Sequence, residues 1–168
     1  SLDVAGLLGN YHVWIPLLGE HQIENAATAV ATVETLIDGG LDLSSEGIVE
    51  GLSRVSWPGR LEILSSRCAQ VVVDGAHNPN SIGRLVKAVR DYFRFQRVIL
   101  MFGATNGHSA RGMMAKVVGL SPTVIAVRSR HPRSAPTETI ATAAREEGLP
   151  VSFESDDVAL ATRRALAM

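Results

Sequence analysis

From residue 61 to residue 168, short apolar runs alternate with segments whose apolar residues recur every three or four positions. Such runs predict strands, and the recurring spacing predicts amphipathic helices. The predicted strands are residues 61–66, 69–74, 97–102, 123–128 and 150–155, and the predicted helices are residues 81–93, 109–120, 136–148 and 157–168. Alternating strands and helices build a parallel sheet through right-handed crossovers. We therefore predict a doubly wound α/β fold with a mostly parallel sheet and helices on both faces.

Three of the predicted strands contain long apolar stretches with no polar residue between them, at residues 71–73, 98–102 and 124–127. A strand with one face in water alternates apolar and polar residues, whereas a strand covered by helices on both faces does not. We expect these three strands to be buried on both faces.

The first 57 residues have a different pattern. They contain one predicted strand, residues 11–18, and two predicted helices, residues 22–37 and 44–55, the second beginning at a serine cap. Six apolar residues at helical spacing form the expected core face of the first helix: Ile23, Ala26, Ala27, Val30, Val33 and Ile37. Pro58 and Gly59 interrupt the pattern in "SWPGR", so we predict a domain boundary between residues 57 and 58.

Charge and composition exclude several classes of protein. The net charge is −1 and no cluster of lysine or arginine stands out, so a nucleic-acid partner is not expected. No apolar run approaches the ~20 residues that span a bilayer. The first ten residues lack the basic flank and apolar core of a signal peptide, and the single Cys68 cannot form an internal disulfide. We expect a cytoplasmic protein without a membrane partner.

Polar loops follow three of the predicted strands: "DGAHNPN" after residue 73, "GATNGH" after residue 102 and "RSRHPRSAP" after residue 127. The carboxyl ends of parallel strands lie at one edge of a sheet, where α/β proteins bind ligands. We expect the three loops to converge there. A purely structural alternative stays open for the first loop, in which Asp74 forms an Asx turn and Asn80 or Ser81 caps the next helix.

Several common catalytic motifs are absent from the sequence. It contains no G-x-x-x-x-G-K-[ST] phosphate loop, no G-x-G-x-x-G after a strand and no G-x-S-x-G nucleophile turn. Its five histidines show no spacing typical of metal ligands, so we expect no metal site in this chain. A nucleotide bound here would need its phosphates held largely by another domain.

Three motifs occur in the following order along the chain: "GEHQIENAATAVATVETL", "WPGRLEIL" and "VVVDGAHNPNSIGRL". Together with "HPRSAP" they resemble the carboxyl-terminal third of folylpolyglutamate synthases and dihydrofolate synthases, which belong to the Mur ligase superfamily. The resemblance extends from about residue 18 to the end. It implies that residues 58–168 are a Rossmann-like Mur ligase carboxyl-terminal domain and that residues 1–57 are the tail and linker of a preceding ATPase domain.

The resemblance also implies an activity. In this family ATP phosphorylates a carboxylate of folate or dihydropteroate, and the amine of L-glutamate displaces phosphate to form an amide. A P-loop domain of the same polypeptide holds ATP and Mg²⁺, while the mobile carboxyl-terminal domain closes over them and excludes water from the acyl phosphate. We expect this chain to be that closing domain, inactive when alone, in a monomeric enzyme.

Four residues match family positions with known roles. Asn25, in "IENAAT", and Asp74, in "DGAHNP", match residues that contact the nucleotide. Arg60, in "WPGR", matches an arginine that reaches the phosphates of ATP, for which a planar bidentate donor is suited. His77 matches a histidine near the reaction centre that positions the glutamate or the acyl phosphate. The resemblance thus implies Arg60 and His77 as catalytic residues and Asn25, Arg60 and Asp74 as nucleotide ligands.

Two departures from the family pattern keep alternatives open. Residues 104–112, "ATNGHSARG", replace an Asp-Lys-Asp run that is common in the family, and the sequence stops before the usual last strand, so the sheet is expected to lack an edge strand. One alternative is another Mur-type amino-acid ligase. A second is a binding module that keeps the fold without catalysis. The choice between dihydrofolate synthase and polyglutamate synthase activity also stays open.

Overall fold

The structure is a computed structural model, and it describes residues 1–65 and 69–168. Its contacts divide the chain into two compact units. The first comprises Ser1–Ile63 and Val72–Asp74, and the second comprises Leu64–Val71 and Gly75–Met168. The division by contacts is therefore near residue 63, while the predicted assignment of residues 1–57 to a preceding ATPase domain stays a prediction. Cys68 and the last residue of the predicted strand 61–66 lie outside the described residues.

The first unit begins with a hairpin. Strands β1 (Leu2–Ala5) and β2 (Asn10–Val13) pair antiparallel, with Leu2 opposite Val13 and Ala5 opposite Asn10. Strand β2 coincides with the predicted strand at residues 11–18 but ends at Val13, earlier than expected, and β1 was not predicted. The sequence of β1, "LDVA", is too short and too mixed to register as an apolar run, and its strand conformation comes from pairing with β2.

Two helices complete the first unit: α1 (Glu20–Asp38) and α2 (Ser45–Ser53). Both were predicted, as was the serine cap of α2, where Ser44 Oγ accepts a hydrogen bond of 3.2 Å from Gly47 N. The predicted core face of α1 is wrong at one position, because Ile23 is 47% exposed. The buried carboxylate of Glu34, 1% exposed, occupies a place on the core face instead.

The other elements follow in an alternating order, as predicted. They are β3 (Glu62–Ser65), β4 (Gln70–Val73), α3 (Pro79–Tyr92), β5 (Ile99–Phe102), α4 (Ala110–Val117), β6 (Thr123–Val127), α5 (Thr137–Glu146), β7 (Val151–Ser155) and α6 (Val158–Leu166). Strands β3 and β4 form a two-stranded sheet. Strands β5, β6 and β7 form a parallel sheet with β6 in the centre.

Helices cover both faces of the parallel sheet in the second unit. Val124 and Ala126 of β6 point into a core cluster that contains residues of α3, α4 and α5. Ile125 and Val127 point the opposite way, into a cluster with Ala161 of α6. Alternate residues of one strand thus pack against helices on opposite faces, as the pleat of a strand requires. The predicted α/β fold is confirmed.

Burial on both faces was predicted for three strands and holds only for β6. In β5, Met101 is exposed, and in β4, Val73 is exposed. The reason is position within the sheet. Strand β6 has a neighbouring strand on each side and helices above and below, whereas β5 lies at one side of the three-stranded sheet. Apolar composition alone does not distinguish a central strand from a lateral one.

Candidate functional site

The first unit holds a sharp turn at residues 57–61, with Arg60 near its end. Arg60 N donates a hydrogen bond of 3.3 Å to Trp57 O, which closes the turn. Gly59 and Leu61 flank the arginine with φ angles of +74° and +46°. Glycine takes a positive φ without steric cost, but a leucine does so only when its surroundings impose it. The conformation of Leu61 therefore calls for a specific partner.

Two carboxylates fix the backbone on either side of Arg60. Glu62 Oε2 accepts a hydrogen bond of 2.8 Å from Gly59 N, and Asp74 Oδ2 accepts one of 2.8 Å from Leu61 N. Leu61 is only 3% exposed, so its N–H would be buried without a partner if Asp74 were removed. Asp74 thus stabilises the left-handed conformation of Leu61 from thirteen residues further along the chain.

The guanidinium of Arg60 has an unusual partner. Its Cζ lies over the ring of Trp57, 5.2 Å from the ring centroid. Among residues 1–65 and 69–168, no carboxylate forms an ion pair with Arg60. The side chain is half-buried, so its charge is held close to the surface without being neutralised. Such a group favours an oxyanion ligand.

Asn25 lies on the exposed side of α1. Its Nδ2 donates a hydrogen bond of 2.9 Å to Gln22 Oε1, and Gln22 Nε2 lies 3.0 Å from His21 Nε2. Gln22 is buried, so the Asn25 amide is oriented by a side chain that is itself held in place. One Nδ2 hydrogen and the Oδ1 atom remain suited to hydrogen bonding with a polar ligand.

His77 belongs to the second unit and is exposed, at the start of the segment that leads into α3. Its Nδ1 lies 2.9 Å from the carbonyl oxygen of Gly75. Because a carbonyl oxygen only accepts, Nδ1 carries the hydrogen, and in the neutral ring Nε2 is the acceptor. His77 N also donates a hydrogen bond of 3.1 Å to Ser81 Oγ. The backbone and the tautomer of His77 are therefore both set by its own loop.

The cap of α3 differs from both predicted residues. Asn78, rather than Asn80 or Ser81, is the N-cap: its Oδ1 accepts a hydrogen bond of 2.9 Å from Ser81 N. Ser81 Oγ in turn accepts from Asn78 N at 3.1 Å, which completes a capping box, and Pro79 occupies the first helical position. The cap lies directly after His77 and fixes where the chain enters the helix.

The predicted convergence of three loops is confirmed within the second unit. His77 packs its ring against that of His108, with centroids 5.4 Å apart, so the loop before α3 contacts the loop after β5. The loops after β5 and β6 are joined by backbone hydrogen bonds, from Asn106 N to Arg133 O at 2.7 Å and from Ala135 N to Ala104 O at 2.9 Å. His108, which the sequence did not single out, thus lies beside a candidate catalytic residue.

Glu34 is a buried carboxylate that the sequence did not single out either. It accepts hydrogen bonds from Leu7 N at 2.7 Å, Leu8 N at 2.8 Å and the hydroxyl of Tyr11 at 2.9 Å. Burial raises the pKa of Glu34, but the accepted hydrogen bonds outweigh it, so the pKa is lowered from the usual 4.5. Burial and the adjacent Glu34 raise the pKa of Tyr11. Glu34 lies four residues after Val30, and this helical spacing is the signal that could have placed it on the core face of α1.

Within residues 1–65 and 69–168, no group of three or more His, Cys, Asp and Glu side chains is placed to hold a metal ion. No helix in that part of the chain is both long and apolar enough to cross a bilayer.

The chain is similar to known proteins over most of its length. The sequence profile of one family, described as "Mur ligase, glutamate ligase domain", matches residues 59–168. A Mycobacterium tuberculosis protein named dihydrofolate synthase/folylpolyglutamate synthase is 31% identical over 148 residues, which are 86% of this chain and 30% of that protein. A Bradyrhizobium diazoefficiens UDP-N-acetylmuramoyl-L-alanyl-D-glutamate–2,6-diaminopimelate ligase is 32% identical over 134 residues, which are 77% of this chain and 26% of that protein.

The fold is also similar to solved structures. The structure of Mycobacterium tuberculosis folylpolyglutamate synthase complexed with ADP matches 99% of this chain with a TM-score of 0.88 and 29% sequence identity. The match takes up 37% of that chain. This chain therefore spans between 26% and 37% of the length of the three proteins.

Proposed function

Because this chain belongs to the Mur ligase family of glutamate ligase domains, we propose that it is the carboxyl-terminal domain of a folylpolyglutamate synthase/dihydrofolate synthase-type ligase. The similarity to the Mycobacterium tuberculosis synthase over 86% of the chain supports the folate branch of the family. The observation that carries the proposal is the geometry at Arg60. Its guanidinium has no paired carboxylate among the described residues, and its backbone is fixed on both sides, as expected of a phosphate-binding arginine.

The proposed reaction joins L-glutamate to a carboxylate of folate or dihydropteroate. An oxygen of that carboxylate attacks the terminal phosphorus of ATP, the bond to ADP breaks, and an acyl phosphate forms. The glutamate amine then attacks the acyl carbon, loses a proton, and displaces inorganic phosphate. Arg60 binds the transferred phosphoryl oxygens through two parallel N–H donors and stabilises the charge that they carry in the transition state.

His77 takes a separate role in this proposal. With Nδ1 hydrogen-bonded to Gly75 O, the neutral ring presents Nε2 as an acceptor to the ammonium or amine of the incoming glutamate. An acceptor at that place orients the amine for attack on the acyl carbon. Closure of the domain over the acyl phosphate excludes water, which would otherwise hydrolyse it.

Asn25 and Asp74 are proposed to contact the nucleotide. Asn25 fits this role through its exposed amide, which Gln22 orients. Asp74 fits it through its carboxylate, because carboxylate oxygens are acceptors suited to a ribose hydroxyl. Mg²⁺, when bound, would neutralise phosphate charge; we assign it to a P-loop ATPase domain of the same polypeptide, with residues 1–57 as the tail of that domain and the whole enzyme a monomer.

A cell-wall ligase of the same superfamily is the second candidate, because the Bradyrhizobium diazoefficiens ligase is 32% identical over 77% of this chain. The two candidates differ in the acceptor of the amino acid, which is a pteroate or folate in one and a nucleotide-linked muropeptide in the other. The amino acid itself also distinguishes them, since the folate branch uses L-glutamate.

The test is an activity assay on the natural polypeptide that carries this sequence. We expect phosphate release that requires ATP and L-glutamate together with dihydropteroate or a reduced folate, and amide products identified by mass spectrometry. Products only with a muropeptide acceptor would replace the folate proposal by the second candidate. Absence of product with either acceptor, from a polypeptide that contains the P-loop domain, would contradict both and favour a non-catalytic module. The 168-residue chain alone is expected to be inactive.

A further inference from the structure

Trp57 is a large apolar side chain with an exposure that needs an explanation. It is 60% exposed, and it lies in the same turn as Arg60, whose guanidinium carbon is 5.2 Å from the centre of its ring. The turn hydrogen bond from Arg60 N to Trp57 O holds the backbones of the two residues close together. Exposure of an indole costs free energy because apolar surface is left in water. In the described structure, the guanidinium of Arg60 lies over the indole ring of Trp57.

We propose that Trp57 is a positioning residue: its indole holds the guanidinium of Arg60 in place for an oxyanion and changes its fluorescence when that oxyanion binds. The proposal rests on the proposed function, in which the oxyanion is a nucleotide phosphate. It adds a residue that acts through Arg60 rather than by touching the substrate.

The chemistry of an aromatic partner explains why it suits this position. A carboxylate partner would accept the N–H groups of Arg60 and neutralise its charge before a ligand arrived. The face of an indole attracts the cation through its quadrupole and accepts no conventional N–H···O hydrogen bond. The charge and the in-plane donors of Arg60 therefore remain for phosphate oxygens, while the side chain loses less freedom when they bind.

The backbone around this pair is suited to the same purpose. Glu62 holds Gly59 N and Asp74 holds Leu61 N, so the residues before and after Arg60 are fixed by hydrogen bonds of 2.8 Å each. The two carboxylates are thus bonded to the backbone at the turn and form no ion pair with Arg60 in the described part of the chain. Backbone and side chain of Arg60 are positioned by different partners.

The contact can be tested spectroscopically in this chain without any nucleotide. The chain has two tryptophans, so Trp14→Phe leaves Trp57 as the single indole reporter. In that background we expect Arg60→Gln to change the intensity and wavelength of Trp57 emission, because it removes a cation from the ring. The matched control is Arg54→Gln, which removes an arginine of the same unit that pairs with Glu50 instead. An Arg60→Gln spectrum identical to that of the Arg54→Gln control would overturn the contact.

The second arm uses tripolyphosphate, an oxyanion without a base that could stack on the indole. We expect it to change Trp57 emission saturably in the chain with Arg60 and not in Arg60→Gln. Trp57→Ala removes the reporter, so its tripolyphosphate binding is measured by nuclear magnetic resonance of the Arg60 side chain. We expect this variant to bind tripolyphosphate about two- to five-fold more weakly, which is the size of a cation–π contact at an exposed site. Trp57→Phe should restore most of the affinity, since it keeps an aromatic face.

The third arm is kinetic and uses the natural polypeptide. Trp57→Ala should lower the turnover rate or raise the KM for ATP by a similar two- to five-fold factor, and Trp57→Phe should restore it, with unchanged melting temperatures. Equal binding of tripolyphosphate by Trp57→Ala and by the unaltered chain would refute the positioning role. Failure of the ligase reaction with intact tripolyphosphate binding would instead contradict the proposed function and leave the role of Trp57 supported.

Discussion

Replacement of Asp74 by alanine is the perturbation that most directly tests the reasoning about the turn at residues 57–61. The side chain removed is the acceptor of a 2.8 Å hydrogen bond from Leu61 N. Leu61 is 3% exposed and has a φ of +46°, so the variant leaves a buried donor without its partner in a conformation that leucine avoids. A second variant, Asp74→Asn, keeps an oxygen at this place and removes only the charge.

The magnitude follows from the type of hydrogen bond. A hydrogen bond to a charged group contributes about 1.5–3 kcal/mol, whereas a neutral one contributes about 0.5–1.5 kcal/mol. We therefore expect Asp74→Ala to lower the free energy of unfolding of the first unit by about 1.5–3 kcal/mol, and Asp74→Asn to lower it by about half as much. In the natural polypeptide Asp74→Ala should also reduce kcat/KM by roughly ten- to a hundred-fold, because the proposed charge-assisted hydrogen bond to the nucleotide contributes about 1.5–3 kcal/mol and each 1.36 kcal/mol is a factor of ten.

Urea unfolding followed by circular dichroism measures the change in stability, and steady-state kinetics on the natural polypeptide measures the change in kcat/KM. The control is Asp42→Ala, an exposed aspartate in the loop between α1 and α2, which should stay within about 0.5 kcal/mol of the unaltered chain. If Asp74→Ala unfolds at the same urea concentration as Asp42→Ala, the hydrogen bond to Leu61 does not stabilise the turn. Unaltered kcat/KM in Asp74→Ala would refute the assignment of this residue to the site.

Three further predictions concern other residues. The pKa of Glu34 is lowered in the folded state, so its carboxylate stabilises the fold above the usual value of 4.5 and this contribution is lost as pH falls through the folded-state pKa. The difference in melting temperature between the unaltered chain and Glu34→Gln should accordingly shrink below pH 4.5, and a constant difference would contradict it. Asn78→Ala should lower the free energy of unfolding, measured in urea, by about 1 kcal/mol because the α3 cap is lost. Asn78→Ser should keep most of that stability, since serine also caps helices. Arg60→Ala in the natural polypeptide should lower kcat more than it raises the KM for ATP, and Arg60→Lys should fail to restore kcat, because an ammonium lacks the bidentate fork. Full activity in Arg60→Lys would show that only charge matters.

Local patterns in the sequence determined most of the secondary structure. Helix α1 ends at Asp38, directly before the glycine pair at residues 39 and 40, and Ser44 caps α2 as predicted. Both ends depend on residues within one turn of each other. The alternation after residue 61 likewise determined the α/β class, since it depends only on the period of apolar residues. Motif resemblance supplied Asn25, Arg60, Asp74 and His77 as candidates, and their roles remain proposals.

The partners of those candidates could not be predicted from the sequence. Trp57 and Glu62 lie within three residues of Arg60, but their contacts with this turn depend on the positive φ angles at Gly59 and Leu61. His108 is thirty-one positions from His77 along the chain, and only the convergence of two loops brings their rings to 5.4 Å.

The periodicity of α1 shows where sequence patterns stop being informative. It placed Ile23 and Val30 on the same face, yet Ile23 is exposed and Val30 is buried. Glu34 has a charged side chain, yet it is buried because the hairpin of β1 and β2 supplies two backbone N–H groups and a tyrosine hydroxyl as hydrogen-bond donors. A helical pattern gives the direction of each side chain, but tertiary structure decides what lies in that direction. Whether a carboxylate is buried, and whether a leucine adopts a left-handed conformation, depends on hydrogen-bond partners that are distant in sequence.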